Sequence, residues 1–228
     1  MVRLGGGTRD FVVHPRYREL FGRSTVPTLR DLPEPADLAF VMVGPNTVES
    51  ILEDAAVAGI HNVVVLAAGY GESGSDGTIR QKQLAAKAVE LDLTILGPNT
   101  IGFINAPAGV APWAVASDDS PLAGPVAAVF ESGSMARASY EFAQAHGVGS
   151  SLWAAVGNAA VINTLDVVDY LVDDDHTRAI ALFLETVREP TRFMQIARRA
   201  VEAGKPIVAF KAGRSEVGMR SAMAHTGA

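Results

Sequence analysis

Eight short runs of branched and other apolar residues punctuate the chain, and they restrict its fold more than any other feature. They fall at residues 11–13, 38–43, 62–67, 93–96, 126–130, 152–156, 179–184 and 206–210. Most are continuous rather than alternating, so the strands they predict have both faces covered, as in a parallel sheet with helices on either side. Between the runs the apolar period becomes helical. One pattern runs through Ile79, Leu84, Ala85, Ala88 and Leu91. A second uses Met135, Ala138, Phe142 and Ala145, and Gly147 closes it. A third opens near Asn163 and places Leu165, Val168 and Val172 on one face. A fourth holds Phe193, Ile196, Ala197 and Val201 before Gly204. Glycine just past the last periodic residue is a common helix stop. Strands alternating with helices predict doubly wound α/β architecture. Residues 107–125 break the rhythm with Pro, Gly, Ser and Ala and read as a connection between two such units. The boundary is therefore expected near Ala123, giving units 1–122 and 123–228.

Length and composition narrow the function. With 228 residues the chain is long enough for one large α/β domain or two small ones. A net charge of −6 and the lack of a basic patch argue against a general nucleic-acid binder. The absence of cysteine excludes disulfides, thiolate metal sites and a cysteine nucleophile, and it suits a reducing cytoplasm. The first ten residues lack the apolar core of a signal peptide, and no apolar run approaches the roughly 18–20 residues of a membrane span. A cytoplasmic protein without a membrane partner is expected.

Ligands of open α/β sheets bind beyond the carboxyl ends of the strands, so the loops after the runs are where chemistry is sought. Gly97-Pro98-Asn99 is a turn that can present backbone amides, and Asn tolerates left-handed geometry. Ser132, Gly133 and Ser134 precede a helix, where hydroxyls and unpaired amides suit an anion such as phosphate. An ordinary serine cap is the other reading, and Glu131 beside it opposes an anion. Glu185 ends the run 179–184. It is placed to orient an imidazole, or to serve as a solvated partner of Arg188. His225 follows a loop carrying Lys211, Arg214 and Arg220, which suit phosphate oxygens. Imidazole is a competent nucleophile toward phosphorus, although a histidine on a C-terminal tail needs no such role. His14, His61, His146 and His176 read as structural, Trp113 and Trp153 as packing, and Asp173-Asp174-Asp175 as a solvated loop rather than a metal site. No metal site is expected.

Taken in order, these segments resemble one family, the NDP-forming (ADP-forming) acyl-CoA synthetases, relatives of the succinyl-CoA synthetase α subunit. The matching text is FVVHPRYRELFGRSTVPTLRDLP at 11–33, LGPNTIGFIN at 96–105, Ser132-Gly133 in the phosphate loop, VGNAAVINTLDVVDYL at 156–171, residues 182–185, KPIVAFKAGRS at 205–215, and then His-Thr-Gly. The resemblance implies a Rossmann-like CoA-binding domain that opens one strand late, followed by a flavodoxin-like ligase domain. It implies ligation of a small carboxylic acid to CoA through a phosphohistidine and an acyl phosphate. His225 would carry the phosphate, Glu185 would orient it, and Ser132, Gly133 and Ser134 would cradle it. Pro98, Asn99 and Arg16 would lie near CoA. An ATP-grasp partner would supply ATP/ADP and Mg²⁺, and the assembly would be an oligomer. Phe130, Glu131, Asn163 and Ala224 depart from the family's usual residues. The usual N-terminal Gly-rich loop has only Gly5-Gly6-Gly7 in its place, which supports the competing reading of a non-catalytic module that senses CoA or acyl-CoA. An NAD-type Rossmann enzyme is disfavoured, because no G-x-G-x-x-G follows the first run.

Overall fold

A computed structural model of the chain describes residues 9–115 and 120–212. It opens with a small sheet of β1 (Val12–Val13), β2 (Glu19–Leu20) and β3 (Arg23–Val26), in which β3 lies between the other two. A parallel sheet follows, ordered β4 (Leu38–Val41), β5 (Asn62–Val65) and β6 (Thr94–Leu96). Its connections are α1 (Pro45–Val57) and α2 (Ser75–Glu90). The helical patterns above omit α1, although Val48, Leu52 and Ala55 bury one of its faces and Pro45 sits at the start, where its fixed φ suits a helix.

The second sheet is built from β7 (Phe103–Asn105), β8 (Ala123–Phe130), β9 (Ser150–Ala155), β10 (Ala179–Leu184) and β11 (Ile207–Lys211), in the order β11-β10-β8-β9-β7. All its pairs are parallel except β7 with β9. The helices α3 (Gly133–Ala145), α4 (Thr164–Asp173) and α5 (Pro190–Glu202) complete the doubly wound pattern. β7 lies before the boundary expected near Ala123, yet it hydrogen-bonds into the second sheet. Its three residues sit among Gly and Pro, so the sequence shows no strand run there.

Period-two alternation explains the continuous apolar runs. In the first sheet Val63, Val65 and Ile95 face α1 and α2, while Val64 and Leu96 face the other way. There they join Ala127, Val129, Leu152, Ala154, Ile180 and Leu182 of the second sheet, together with the buried sides of α4 and α5. On the far side Ala128, Phe130, Trp153 and Ala155 pack under Ala136, Tyr140 and Ala143 of α3. Trp113 and Trp153 are both buried in that layer, and the Trp153 indole donates to Ala136 O at 2.9 Å. The first sheet thus rests on the second through a shared apolar layer, which fixes the carboxyl edges of β6, β8, β9 and β10 relative to one another.

Candidate active site

Three loops meet at those carboxyl edges. The first is Gly97-Pro98-Asn99, after β6. Gly97 has φ of 106° and a cis bond to Pro98, and Asn99 is left-handed at 57°. A Cβ on Gly97 would stand 2.5 Å from Val65 O, so the turn is pressed against β5 and admits no side chain there. The second loop, Gly157-Asn158 after β9, approaches it backbone to backbone. Gly157 has φ of 60°, and a Cβ there would lie 2.4 Å from Pro98 O and 2.6 Å from Asn99 O. The amides of Asn158 and Ala160 donate to Pro98 O and Gly97 O at 2.9 and 3.0 Å.

Asn158, only 1% exposed, ties this contact to a third segment at 69–73. Its Nδ2 donates to Glu72 Oε2 at 2.5 Å and Gln81 Oε1 at 3.0 Å, and its Oδ1 accepts from Asn99 Nδ2 at 3.2 Å. Glu72 also accepts from the amides of Gly69 and Tyr70. Burial alone would raise the pKa of Glu72. The hydrogen bonds from Asn158 and these amides outweigh it and hold the carboxyl below its ordinary range. Sequence reasoning singled out Asn99 but not Asn158, Glu72 or Gln81. The one available signal was the Gly-Asn pair directly after a strand.

The second cluster lies at the ends of β8 and β10. Phe130 pairs with Phe183, so Ser132 and Glu185 sit two residues beyond the same rung on adjacent strands. Ser132 caps α3 by accepting from the Met135 amide at 3.4 Å, and its Oγ is 3.0 Å from Ser134 Oγ. A Cβ on Gly133 would be tight, 3.1 Å from Ile101 Cγ2, so a side chain there would require Ile101 to give by a few tenths of an ångström. Its lack of a side chain serves the contact between the two units. Glu185 is 7% exposed, and Lys211 Nζ donates to its carbonyl at 2.6 Å.

Glu131, read from the sequence as opposing an anion beside Ser132, turns to the loop after β10. Its Oε2 accepts from the amides of Glu185 and Thr186 at 2.5 and 2.9 Å. Burial pushes its pKa up, and these two amides only partly oppose that. A cavity of about 90 Å³ opens beside it. A cavity of about 240 Å³ lies at the opposite edge, by Asn105, Ser151 and His176, away from these loops.

The structure therefore brings together Ser132, Gly133, Ser134 and Glu185, with Pro98 and Asn99 packed alongside through Ile101 and Gly157. Arg16 is exposed. It stands on the exposed turn between β1 and β2, where its amide donates to His14 Nδ1 at 3.1 Å. His225 lies outside the described residues, as do Arg214 and Arg220. His61 and His146 are each bound to a backbone carbonyl, and Asp173 pairs with Arg199 at 2.7 Å. Among the described residues no three carboxylate or imidazole groups gather around a common point, and no helix is long and apolar enough to cross a membrane.

Two parallel-sheet α/β units, with Ser132, Gly133 and the buried Glu185 at the second sheet's carboxyl edge, make this a doubly wound α/β protein. Residues 3–106 match the model of the CoA binding domain, and residues 123–228 match that of the succinyl-CoA ligase like flavodoxin domain. The chain belongs to the NDP-forming acyl-CoA synthetases and comprises their CoA-binding and ligase-domain portion. It is 33% identical over 95% of its length to acetate–CoA ligase [ADP-forming] I of Archaeoglobus fulgidus, covering 31% of that protein. It is 31% identical over 97% of its length to the α subunit of acetate–CoA ligase [ADP-forming] II of Pyrococcus furiosus, covering 48% of it. The dinucleotide-forming acetyl-coenzyme A synthetase 1 of Candidatus Korarchaeum cryptofilum, solved with phosphate and ADP, superposes with a TM-score of 0.90 at 30% identity. That match covers 99% of this chain and 48% of the other. The chain thus spans less than half the length of these relatives.

Proposed function

We propose that this chain is the CoA-binding and ligase portion of an ADP-forming acyl-CoA synthetase that joins a small carboxylic acid to CoA. The observation that carries this reading is the pairing of the Ser132–Ser134 helix start with the buried Glu185 at the ends of adjacent strands. Burying a carboxylate is costly, and a module that only sensed CoA would have no need of one beside an anion-binding helix start. In this reading the His225 imidazole attacks phosphorus and carries the phosphoryl group, and Glu185 holds the ring by accepting its N–H. Ser132 and Ser134 offer hydroxyls and the first amides of α3 to the phosphate oxygens. The phosphoryl group then passes to the acid's carboxylate, and the CoA thiol displaces phosphate to form the thioester. An ATP-grasp partner supplies the nucleotide and Mg²⁺, in a cytoplasmic oligomer. The first unit suits a phosphate-bearing ligand such as CoA. Gly44 opens α1 at the carboxyl edge of β4 with open space at its Cβ position and no side-chain cap, so the helix's first amides are accessible. Pro98 and Asn99 flank that edge, and Arg16 would add a cation.

The test is phosphohistidine formation. The chain is mixed with an ATP-grasp partner from the same genome and γ-labelled ATP, with His225→Ala as control. Acid-labile label on the wild type alone is expected. Equal labelling of the two proteins, or none on either, would overturn the assignment.

A further inference from the structure

Glu131, directly after β8, reaches the β10 segment three times. Its amide donates to Phe183 O at 3.2 Å, and its Oε2 accepts from the amides of Glu185 and Thr186 at 2.5 and 2.9 Å. β10 ends at Leu184, so those two amides lie past the strand's own ladder. From the other side Lys211, the last residue of β11, donates its Nζ to Glu185 O at 2.6 Å and to Ala212 O at 2.5 Å. β8 and β11 are the two neighbours of β10 in the sheet. The Glu185 backbone is thus gripped at its N–H by a side chain from one neighbour and at its C=O by a side chain from the other.

Loops after strands are mobile by default, yet a group that orients a reacting ring must be held to within about 0.5 Å. Both grips use side chains that carry charge when ionised, and hydrogen bonds of that kind are shorter and roughly twice as strong as neutral ones. A third bond, from the Ala212 amide to Leu184 O at 2.8 Å, ties the residue before Glu185 to the same neighbour as Lys211. Lys211 therefore has a use other than the one its charge suggests. Two of its three ammonium N–H bonds go to backbone carbonyls.

We propose that Glu131 and Lys211 are positioning residues that act through Glu185, clamping its peptide from both sides so that its carboxylate meets the His225 ring in one orientation. This rests on the ligase reading above and adds the residues that stand behind Glu185. Neither side chain touches phosphate in this role. Losing either grip leaves the Glu185 carboxylate in place but free to swing, so it slows phosphoryl transfer without removing the acceptor for the imidazole N–H.

The test is the single-turnover rate of His225 labelling from γ-labelled ATP, with the full chain and saturating ATP-grasp partner, expressed per folded molecule from circular dichroism melts. Glu131→Ala and Lys211→Met should each slow labelling about tenfold to hundredfold, the scale of a misplacement near 1 Å. Glu131→Gln, which keeps an acceptor for both amides, should stay within about threefold of wild type. In a Glu185→Gln background either loss should shrink below about twofold, because the group being positioned is gone. A residue that merely supports the fold lowers the folded amount and leaves the rate per folded molecule unchanged. A Lys211 that binds phosphate directly gives a loss that multiplies in full with Glu185→Gln. The proposal is overturned by either of those results, or if Glu131→Gln is as slow as Glu131→Ala. Should Glu185→Gln abolish label altogether, the contrast between Glu131→Gln and Glu131→Ala decides. If wild type labels and the variants behave otherwise, only the clamp falls; if wild type fails to label, the ligase reading falls and the clamp with it.

Discussion

Replacing Asn158 by alanine should cost this protein far more than its small side chain suggests. The substitution deletes the donor to Glu72 and Gln81 and the acceptor for Asn99, at a site that is 1% exposed. The bond to the Glu72 carboxylate is charge-assisted and worth about 1.5–3 kcal/mol, and each neutral amide bond is worth about 1 kcal/mol. The sum is about 3–5 kcal/mol. For a chain of this size 1 kcal/mol moves Tm by about 2–4 °C, so Tm should fall by about 10 °C. Urea unfolding followed by circular dichroism would measure it, with Glu72→Gln and the double variant completing a cycle. The coupling between the two sites should be about 1–2 kcal/mol. A loss below about 1 kcal/mol for Asn158→Ala, or strict additivity in the cycle, would show that the three segments are held by backbone contacts alone.

Glu72 and Glu131 should depend on pH in opposite senses, because their pKa values move in opposite directions on folding. A depressed carboxyl stabilises above its unfolded pKa of about 4.3 and loses that contribution as pH falls through the folded value. Glu72→Gln should therefore flatten the acid side of the stability profile in urea titrations. A raised carboxyl contributes fully below about pH 4.3 and loses that contribution as pH rises through the folded value. Glu131→Gln, which keeps an acceptor for the two amides, should gain on wild type at neutral pH and lose that advantage near pH 4. Gly157→Ala should lose about 3 kcal/mol or more, from a left-handed φ and a Cβ 2.4 Å from Pro98 O, and soluble yield together with urea midpoints would report it. Ala159→Gly should gain up to about 1 kcal/mol in the same assay, since Ala159 is left-handed at φ 54°. Ser132→Ala should lose about 1 kcal/mol as a missing helix cap and slow the labelling of His225.

The architecture was legible because burial on both faces of a parallel sheet leaves a strong mark. The runs at 62–67 and 179–184 became β5 and β10 nearly unchanged, and Asn163 became the cap of α4 as expected. What escaped was set by contacts that leave no periodic trace. β7 exists because the chain after Asn99 lies against the edge of β9, and three residues cannot show a period. Asn158 matters through partners 59 to 86 residues away, which no local pattern encodes. The direction of Glu131 escaped for a related reason. Its side-chain direction is decided by the amides at the end of β10, not by its neighbour Ser132. Gly133 shows the limit of reading chemistry from composition, since the room it leaves is used by Ile101.

The antiparallel strand β7 also bears on how the two units could be separated. It shields the outer backbone groups of β9 with residues that precede the long connection. A fragment starting at Ala123 would expose that row of donors and acceptors on a strand whose six residues are all buried in the intact chain. Such an edge is a template for pairing with other chains. The second unit expressed alone should therefore self-associate, and a soluble single-unit fragment would have to begin ahead of Phe103.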